Sequence, residues 1–386
     1  MIMMIKTKKS MPKIVVIGGG ATGCGVARDL VLRGYQTTLI ESGNLGSGTS
    51  SRSHGMLQSG ARYVVTESSF AAECYQERNI ISKIFPKAVK LIGGLFISLP
   101  NDPEDYPEKF LKCCQIAKIP VEEIKINEVL NSEKELNNNI VRAFHVPDAI
   151  IHPPKLFELL AKEIKSYGGK ILINHQVQKI KKNKDLAKVI VVDSNGIKSN
   201  IECDGIINAA GPWSGEVAKL INQKVELELT RGCGIFFSGQ LVNKAINRCR
   251  IPNNNDIMCP SENESLWGTT SNVVYDPVSP KTTPNEIQEL LSGAEELFPN
   301  IRTYKSLRTW SGIRPLVKSK KINKGLPLSQ GHRVIDHEGE GLKNFLTICG
   351  GALTTHRLMA EDVVNKLGNK FGLDIKCSSH ITPLLK

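Results

Sequence analysis

The clearest chemistry in the chain is carried by three glycines and one acid. Gly18, Gly20 and Gly23 follow the β-branched run Ile14 to Ile17 in the spacing G-x-G-x-x-G. In that arrangement the first glycine permits a tight turn, the second lets the backbone approach a pyrophosphate, and the third lets the next helix pack onto the strand. The helix that opens there turns free N–H groups toward the phosphates. A second apolar run, Thr37 to Ile40, ends at Glu41, 18 residues past Gly23. A carboxylate at that point accepts from ribose hydroxyls and repels a 2′-phosphate. The set reads as a nucleotide cradle, and the motif by itself leaves NAD and FAD open.

Two later segments also run from an apolar strand into small residues. One is CDGIINAAGPWS, with Ala209, Ala210 and Gly211, and the other is the run Phe345 to Cys349, which meets Gly350 and Gly351. Both bring backbone to the same crevice. After Glu41 comes SGNLGSGTSSRSHGMLQSGARY, rich in Ser, Gly and Thr and ending at Arg62 and Tyr63. It is too polar for a core element, and loops of this length are commonly functional. Its small side chains and free amides suit the ribityl chain and phosphates of an extended dinucleotide. Further on, YKSLRTWSGIRPLV carries Arg308 and Arg314 on either side of a Trp and a Gly.

These residues need elements to position them. At 386 residues and 40% hydrophobic content the chain can bury a large core, and its length predicts two domains. No apolar run approaches the ~20 residues that span a bilayer. The opening MIMMIKTKKS puts its apolar patch ahead of its lysines, the reverse of a secretory signal, which predicts a cytoplasmic protein with a frayed leader. The formal charge of +12 reads as surface solubility and is compatible with anionic substrates or an anionic membrane face. Interleaved aromatics and nucleic-acid modules are absent, which argues against a nucleic-acid role. Ten cysteines without a C-x-x-C pair argue against metal or iron–sulfur ligation within the chain and read as buried thiols in a reducing compartment.

Helices are expected over Glu67 to Phe85, Glu108 to Ala117, Lys155 to Tyr167, Glu286 to Leu297 and Thr354 to Leu367. A strand is expected over Leu91 to Leu99, and a β-meander turns at Asn195-Gly196. Strand-turn-helix units at both ends with β-rich stretches between them predict an α/β chain. Its nucleotide domain is discontinuous, built from residues 13–86, 150–226 and 305–386, after a leader at 1–12. Residues 87–149 and 227–304 form the substrate or cap domain.

The blocks IGGGATGCGVARDLVLRG, SRSHGMLQSGARY, GLFISLP, INAAGPW, INRCR, GTTS, WSGIRPLV and GGALTTHRLMAEDVVNKLG, taken together and in this order, resemble the FAD-dependent glycerol-3-phosphate dehydrogenases. Within that family the chain is most similar to the large catalytic subunit of the anaerobic bacterial enzyme, from Lys13 to about Cys377. The resemblance implies a D-amino-acid-oxidase-like flavoprotein, with a Rossmann-type FAD domain and a mixed β-sheet substrate cap, and it selects FAD as the cofactor. Carried over by position, Gly18, Gly20, Thr22 and Gly23 match the pyrophosphate turn and Glu41 the ribose acid. Thr49, Ser50 and Ser51 match the loop beside the isoalloxazine, Val177 the backbone contact to adenine, and Gly211 the second small-residue turn. Gly351, Leu353, Thr354 and Thr355 match the final flavin turn. Arg62 and Arg314 match basic residues at the substrate, with Tyr63 their neighbour.

The implied activity is oxidation of sn-glycerol 3-phosphate to dihydroxyacetone phosphate by hydride transfer to flavin N5. Three departures fall close to that chemistry. Gln58 stands where the family has His, Ala352 where it has Lys, and His356 where it has Tyr. His54 and His356 are the candidates to compensate as base and cation. The departures keep two other readings open: oxidation of a 2-hydroxy acid or amine on the same flavin, and a non-catalytic flavin-binding subunit. The anaerobic large subunit continues into a cysteine-rich iron–sulfur region past the point where this sequence ends. Electrons are therefore expected to leave to a quinone, a separate electron-transfer subunit or oxygen, with peripheral association at the inner membrane face.

Overall fold

The computed structural model describes residues 10–183, 186–278, 281–317, 330–338 and 342–383. The first nine residues of the expected leader lie outside them. Strand β1 (Lys13–Ile17) is apolar from Ile14 onward and sits in the middle of a six-stranded sheet. The order is His332–Asp336, Phe345–Gly350, Gly205–Asn208, β1, Gln36–Ile40 (β2) and Lys170–Leu172. All neighbours are parallel except the first pair. A parallel strand buried on both faces needs a continuous apolar run, which β1 supplies.

Helix α1 (Ala21–Leu32) lies against the helices Pro153–Ser166 and His356–Phe371. Two buried arginines tie these layers together. Arg28 donates to Glu163 at 2.5 Å and to the carbonyls of Ser379 and Thr382. Arg357 donates to both carboxylate oxygens of Glu77. Such pairs hold register more than they add stability, since each ion gives up its hydration. A three-stranded antiparallel sheet, His175–Asn183, Leu186–Asp193 and Lys198–Cys203, caps one face of this unit. Its second turn contains Asn195 and Gly196, as expected, with Gly196 at φ 79°.

The other layer is a mixed nine-stranded sheet running from Asn272–Val274 through Leu227–Ser238 to Glu122–Glu123. The strand Ser306–Val317 pairs with Leu227–Ser238 along its whole length. Residues 306–317, expected above on the nucleotide side, hydrogen-bond into this mixed sheet. The helix Pro284–Leu297 starts in a full capping box between Thr283 and Glu286 and packs Leu290, Ala294 and Leu297 on that sheet. The expected strand over Leu91 to Leu99 is two strands, Val89–Leu91 and Gly94–Ser98, parted at Gly93, where φ is 72°. The last helix begins at His356, two residues later than expected, because Thr354 and Thr355 belong to the preceding turn.

Candidate active site

A crevice of about 1520 Å³ runs from the C-terminal edge of the parallel sheet to the face of the mixed sheet. That exceeds the roughly 300–1,000 Å³ of ordinary small-molecule sites and has room for an extended dinucleotide together with a small substrate. Gly18, Gly20, Thr22, Glu41, Thr49, Ser50, Val177, Gly211, Gly351 and Leu353 all line it.

The local reasons are specific. Gly18 has φ 106°, and a Cβ there would stand 2.5 Å from the Ala209 carbonyl oxygen. Gly23 is behind the wall and does not line the crevice; a Cβ on it would run into the Gly18 carbonyl, so its role is to let α1 sit close. Gly20 offers α1 no side-chain cap, leaving the helix start open, while the Ala21 N–H donates to Ser50 Oγ at 3.0 Å. Glu41 Oε2 accepts from the Gly19 N–H at 2.6 Å, and Oε1 accepts from the Gly43 N–H at 2.7 Å. The carboxylate is thereby aimed along the rim of the turn.

Thr49 Oγ1 donates to the Ile313 carbonyl at 2.6 Å and fixes the polar loop to the mixed sheet. Ser51 is exposed and outside the crevice lining. The rest of that loop is less solvent-facing than its composition predicts: Met56, Leu57, Ser59, Ala61 and Arg62 are buried. Ser59 N–H donates to the buried Asp148 carboxylate at 2.7 Å, which anchors the segment leading to Arg62.

At the mixed-sheet end stand His54, Gln58, Arg62, Tyr63, Trp310 and Arg314. Arg314 donates to Thr269 Oγ1 at 2.9 Å, to the Thr270 carbonyl at 2.7 Å and to Ser271 Oγ at 3.2 Å. No carboxylate pairs with it among the described residues. Arg62 donates to the Asn253 carbonyl at 2.9 Å, with Asp256 3.6 Å away. His54 is held neutral: burial, then the charges of Arg62 and Arg314, push its pKa down to about 3. Its Nε2, Gln58 Oε1 and Trp310 Nε1 are buried without hydrogen-bond partners.

Four further residues that stand out in the sequence fall elsewhere. His356 is 1% exposed, shares a 2.8 Å hydrogen bond between Nδ1 and the Leu353 carbonyl, and faces Phe85 and Gly25. It is a core hydrogen-bonder and not a group at the crevice, because the first turn of its helix points it down onto α1. Thr354 and Thr355 are likewise fully buried and off the lining; Thr354 Oγ1 accepts from the Gln58 N–H, and Thr355 Oγ1 accepts from the Ala352 N–H, both at 3.1 Å. They shape the turn from behind. Arg308 lies over Phe236 and pairs with Glu264, away from the crevice. Ala352 does line it.

What sequence reading missed is a floor of glycines. A Cβ at Gly232 would fall on the Arg314 guanidinium, one at Gly234 on Trp310 Nε1, and one at Gly268 3.2 Å from His54 Nε2. The run RGCG was the available signal. The glycine turns, open helix start, rim carboxylate and orphaned polar atoms fit a bound flavin dinucleotide. Its diphosphate would be held at Gly18 to Thr22 and its ribose at Glu41.

Residues 13–365 match the family described as FAD dependent oxidoreductase (DAO). Among relatives, an anaerobic glycerol-3-phosphate dehydrogenase subunit of Escherichia coli is 34% identical over 381 residues, spanning 97% of this chain and 70% of that one. The anaerobic glycerol-3-phosphate dehydrogenase subunit A1 of Haloferax volcanii is 32% identical over 390 residues, spanning 97% and 67%. The solved glycerol-3-phosphate dehydrogenase of Bacillus halodurans complexed with FAD superposes with a TM-score of 0.75 at 22% identity, covering 97% of this chain and 68% of that one. The FAD-bound L-α-glycerophosphate oxidase of Mycoplasma pneumoniae gives 0.77 at 17%, covering 97% and 99%. At such identities the two structures establish a shared fold.

Proposed function

As a member of the DAO family of FAD-dependent oxidoreductases, similar throughout to glycerol-3-phosphate dehydrogenases, this chain is an FAD enzyme, and we propose that it oxidises sn-glycerol 3-phosphate to dihydroxyacetone phosphate. The observation that carries the substrate is Arg314. A partly buried guanidinium ringed by hydroxyls and a carbonyl, with no acid beside it among the described residues, is set up to receive an anion. Its planar fork suits a phosphate. Arg62 adds a second charge from the opposite loop, and Tyr63 is close enough to Arg314 to act on its charge.

FAD, when bound, supplies the hydride acceptor at N5. His54 Nε2 is the atom proposed to take the proton of the C2 hydroxyl. In the free protein the imidazole is neutral and so able to accept, but burial first, and then the two arginines, disfavour its charged form. A phosphate dianion between those arginines offsets them and raises the basicity of His54 as the substrate is seated. The phosphate thereby relieves the part of the effect due to the arginines and leaves the larger part due to burial. Electrons then pass to a quinone or an electron-transfer partner; relatives whose names make them one subunit of an anaerobic enzyme support the latter. No helix among the described residues is long and apolar enough to cross a membrane, and association with the inner membrane face is read as peripheral.

Gln58 and Ala352, both on the crevice, are the observation that favours the second reading, a 2-hydroxy acid or amine. Anaerobic titration of the purified flavoprotein separates the two. Bleaching of the flavin by sn-glycerol 3-phosphate and not by glycerol, lactate or glycine supports the proposal; bleaching by an acid or amine alone overturns it.

A further inference from the structure

We infer that Trp310 contacts the substrate and sets its specificity, its indole N–H donating to the hydroxyl at the end of the molecule away from the phosphate. The inference rests on the glycerol phosphate reading above. Trp310 and Arg314 stand four residues apart on the crevice face of the strand Ser306–Val317, and both lean onto the neighbouring strand Leu227–Ser238. The guanidinium lies over Gly232 and the indole nitrogen over Gly234, since a Cβ at either position would collide with them. Same-face positions two residues apart on a strand are separated by about 7 Å. A three-carbon chain with a phosphate at one end and a hydroxyl at the other bridges that distance.

Trp310 Nε1 is buried and has no hydrogen-bond partner. An indole nitrogen can only donate, and a buried one ordinarily finds an acceptor. Trp267 on the same sheet does so, donating to the Leu290 carbonyl at 2.8 Å. The Trp310 side chain lines the crevice, with its donor covered at the crevice floor over Gly234. His54 stands edge-on to the Trp310 ring, centroids 5.5 Å apart at 83°, beside Gly268, which is directly opposite Gly234 in register. A substrate laid from Arg314 to Trp310 thus passes the imidazole with its middle carbon. A site built to donate to a hydroxyl rejects the analogue that lacks it, because the donor is then buried unpaired.

The test compares anaerobic flavin reduction by sn-glycerol 3-phosphate and by 2-hydroxypropyl phosphate, which lacks the terminal hydroxyl, in wild type and Trp310→Phe. The wild type is expected to prefer the hydroxylated substrate by about 10-fold or more, and Trp310→Phe to bring the two within about 3-fold. A variant that keeps the wild-type preference, or that slows both substrates equally, overturns the role of Trp310. Should Trp310→Phe fail to hold FAD, Trp310→Leu and Trp310→His take its place, and the preference must survive only where a ring N–H remains. A wild type that bleaches with neither phosphate refutes the substrate reading and this inference together. One that bleaches equally with both refutes this inference alone.

Discussion

Two side chains at the crevice are defined by what does not accompany them. Arg314 has hydroxyls and a carbonyl where a buried cation would usually have a carboxylate, so its guanidinium gains most when an anion arrives. Changing Arg314 to Ala removes a charge-assisted contact worth roughly 1.5–3 kcal/mol, which corresponds to about a 10- to 150-fold rise in apparent KM for glycerol phosphate. FAD content should stay near the wild-type level. An unchanged KM would count against a phosphate at this residue. Ala352 lines the crevice where the resembling family has lysine, and two basic side chains that could replace it do not serve. His356 is buried under the turn, and Arg231 donates to both oxygens of Glu286. With FAD bound, the start of the last helix, equivalent to about half a charge, would be the group at this turn to offset negative charge on the reduced ring. Ala352→Lys, alone and with Gln58→His, is therefore expected to raise both the rate of anaerobic flavin reduction and the flavin midpoint potential. A lysine variant slower than wild type would mean that the pocket has been repacked around alanine.

The strand-turn-helix unit depends on backbone proximity more than on any side chain. At Gly23 a methyl group would meet the Gly18 carbonyl and push α1 off β1, an overpacking cost of about 1–3 kcal/mol. Gly23→Ala should therefore be purified with a sharply lower FAD-to-protein ratio while the mixed sheet, which α1 does not support, stays folded; a full complement of FAD would show that the helix start tolerates the shift. This unit was legible in sequence because its pattern is local: Gly18, Gly20 and Gly23 fall within one turn, and Glu41 follows one helix later, while the contact of Gly18 with Ala209 came to light only in the fold. The substrate end was only half legible. Arg62 and Arg314 stood out by charge, but Trp310 acquires its meaning by lying over Gly234, a pairing set by the register of two strands distant in sequence. His356 replaces a Tyr of the resembling family's flavin turn, which suggested a place at the flavin, whereas the helix carries its ring onto Gly25. The strand Ser306–Val317 joins the mixed sheet because a strand's partner, and not its neighbours along the chain, decides which sheet it joins.

Across the whole molecule, the two histidines that sequence reading placed near the chemistry couple the fold to pH. His54 holds the mixed-sheet end of the crevice and His356 the core beneath the flavin turn. Both are kept neutral chiefly by burial, with pKa values lowered from 6.5 to about 3 and about 4. A group whose folded pKa lies below its unfolded value leaves stability intact above about pH 6.5. As pH falls from there toward the folded pKa, the unfolded chain takes up a proton that the folded one refuses. At pH 5 each histidine accounts for on the order of 2 kcal/mol of lost stability relative to pH 7.5. Buried acids whose pKa is raised by burial, Asp148 and Glu77 among them, act in the opposite sense. The informative quantity is accordingly a difference between proteins. His356→Gln keeps a hydrogen-bonding side chain under the turn and cannot be protonated, and it leaves those acids in place. Its loss of stability between pH 7.5 and pH 5, measured by urea unfolding of the FAD-loaded protein, should be smaller than that of wild type by about 2 kcal/mol. Equal losses in the two proteins would show that His356 is not held neutral in the folded state.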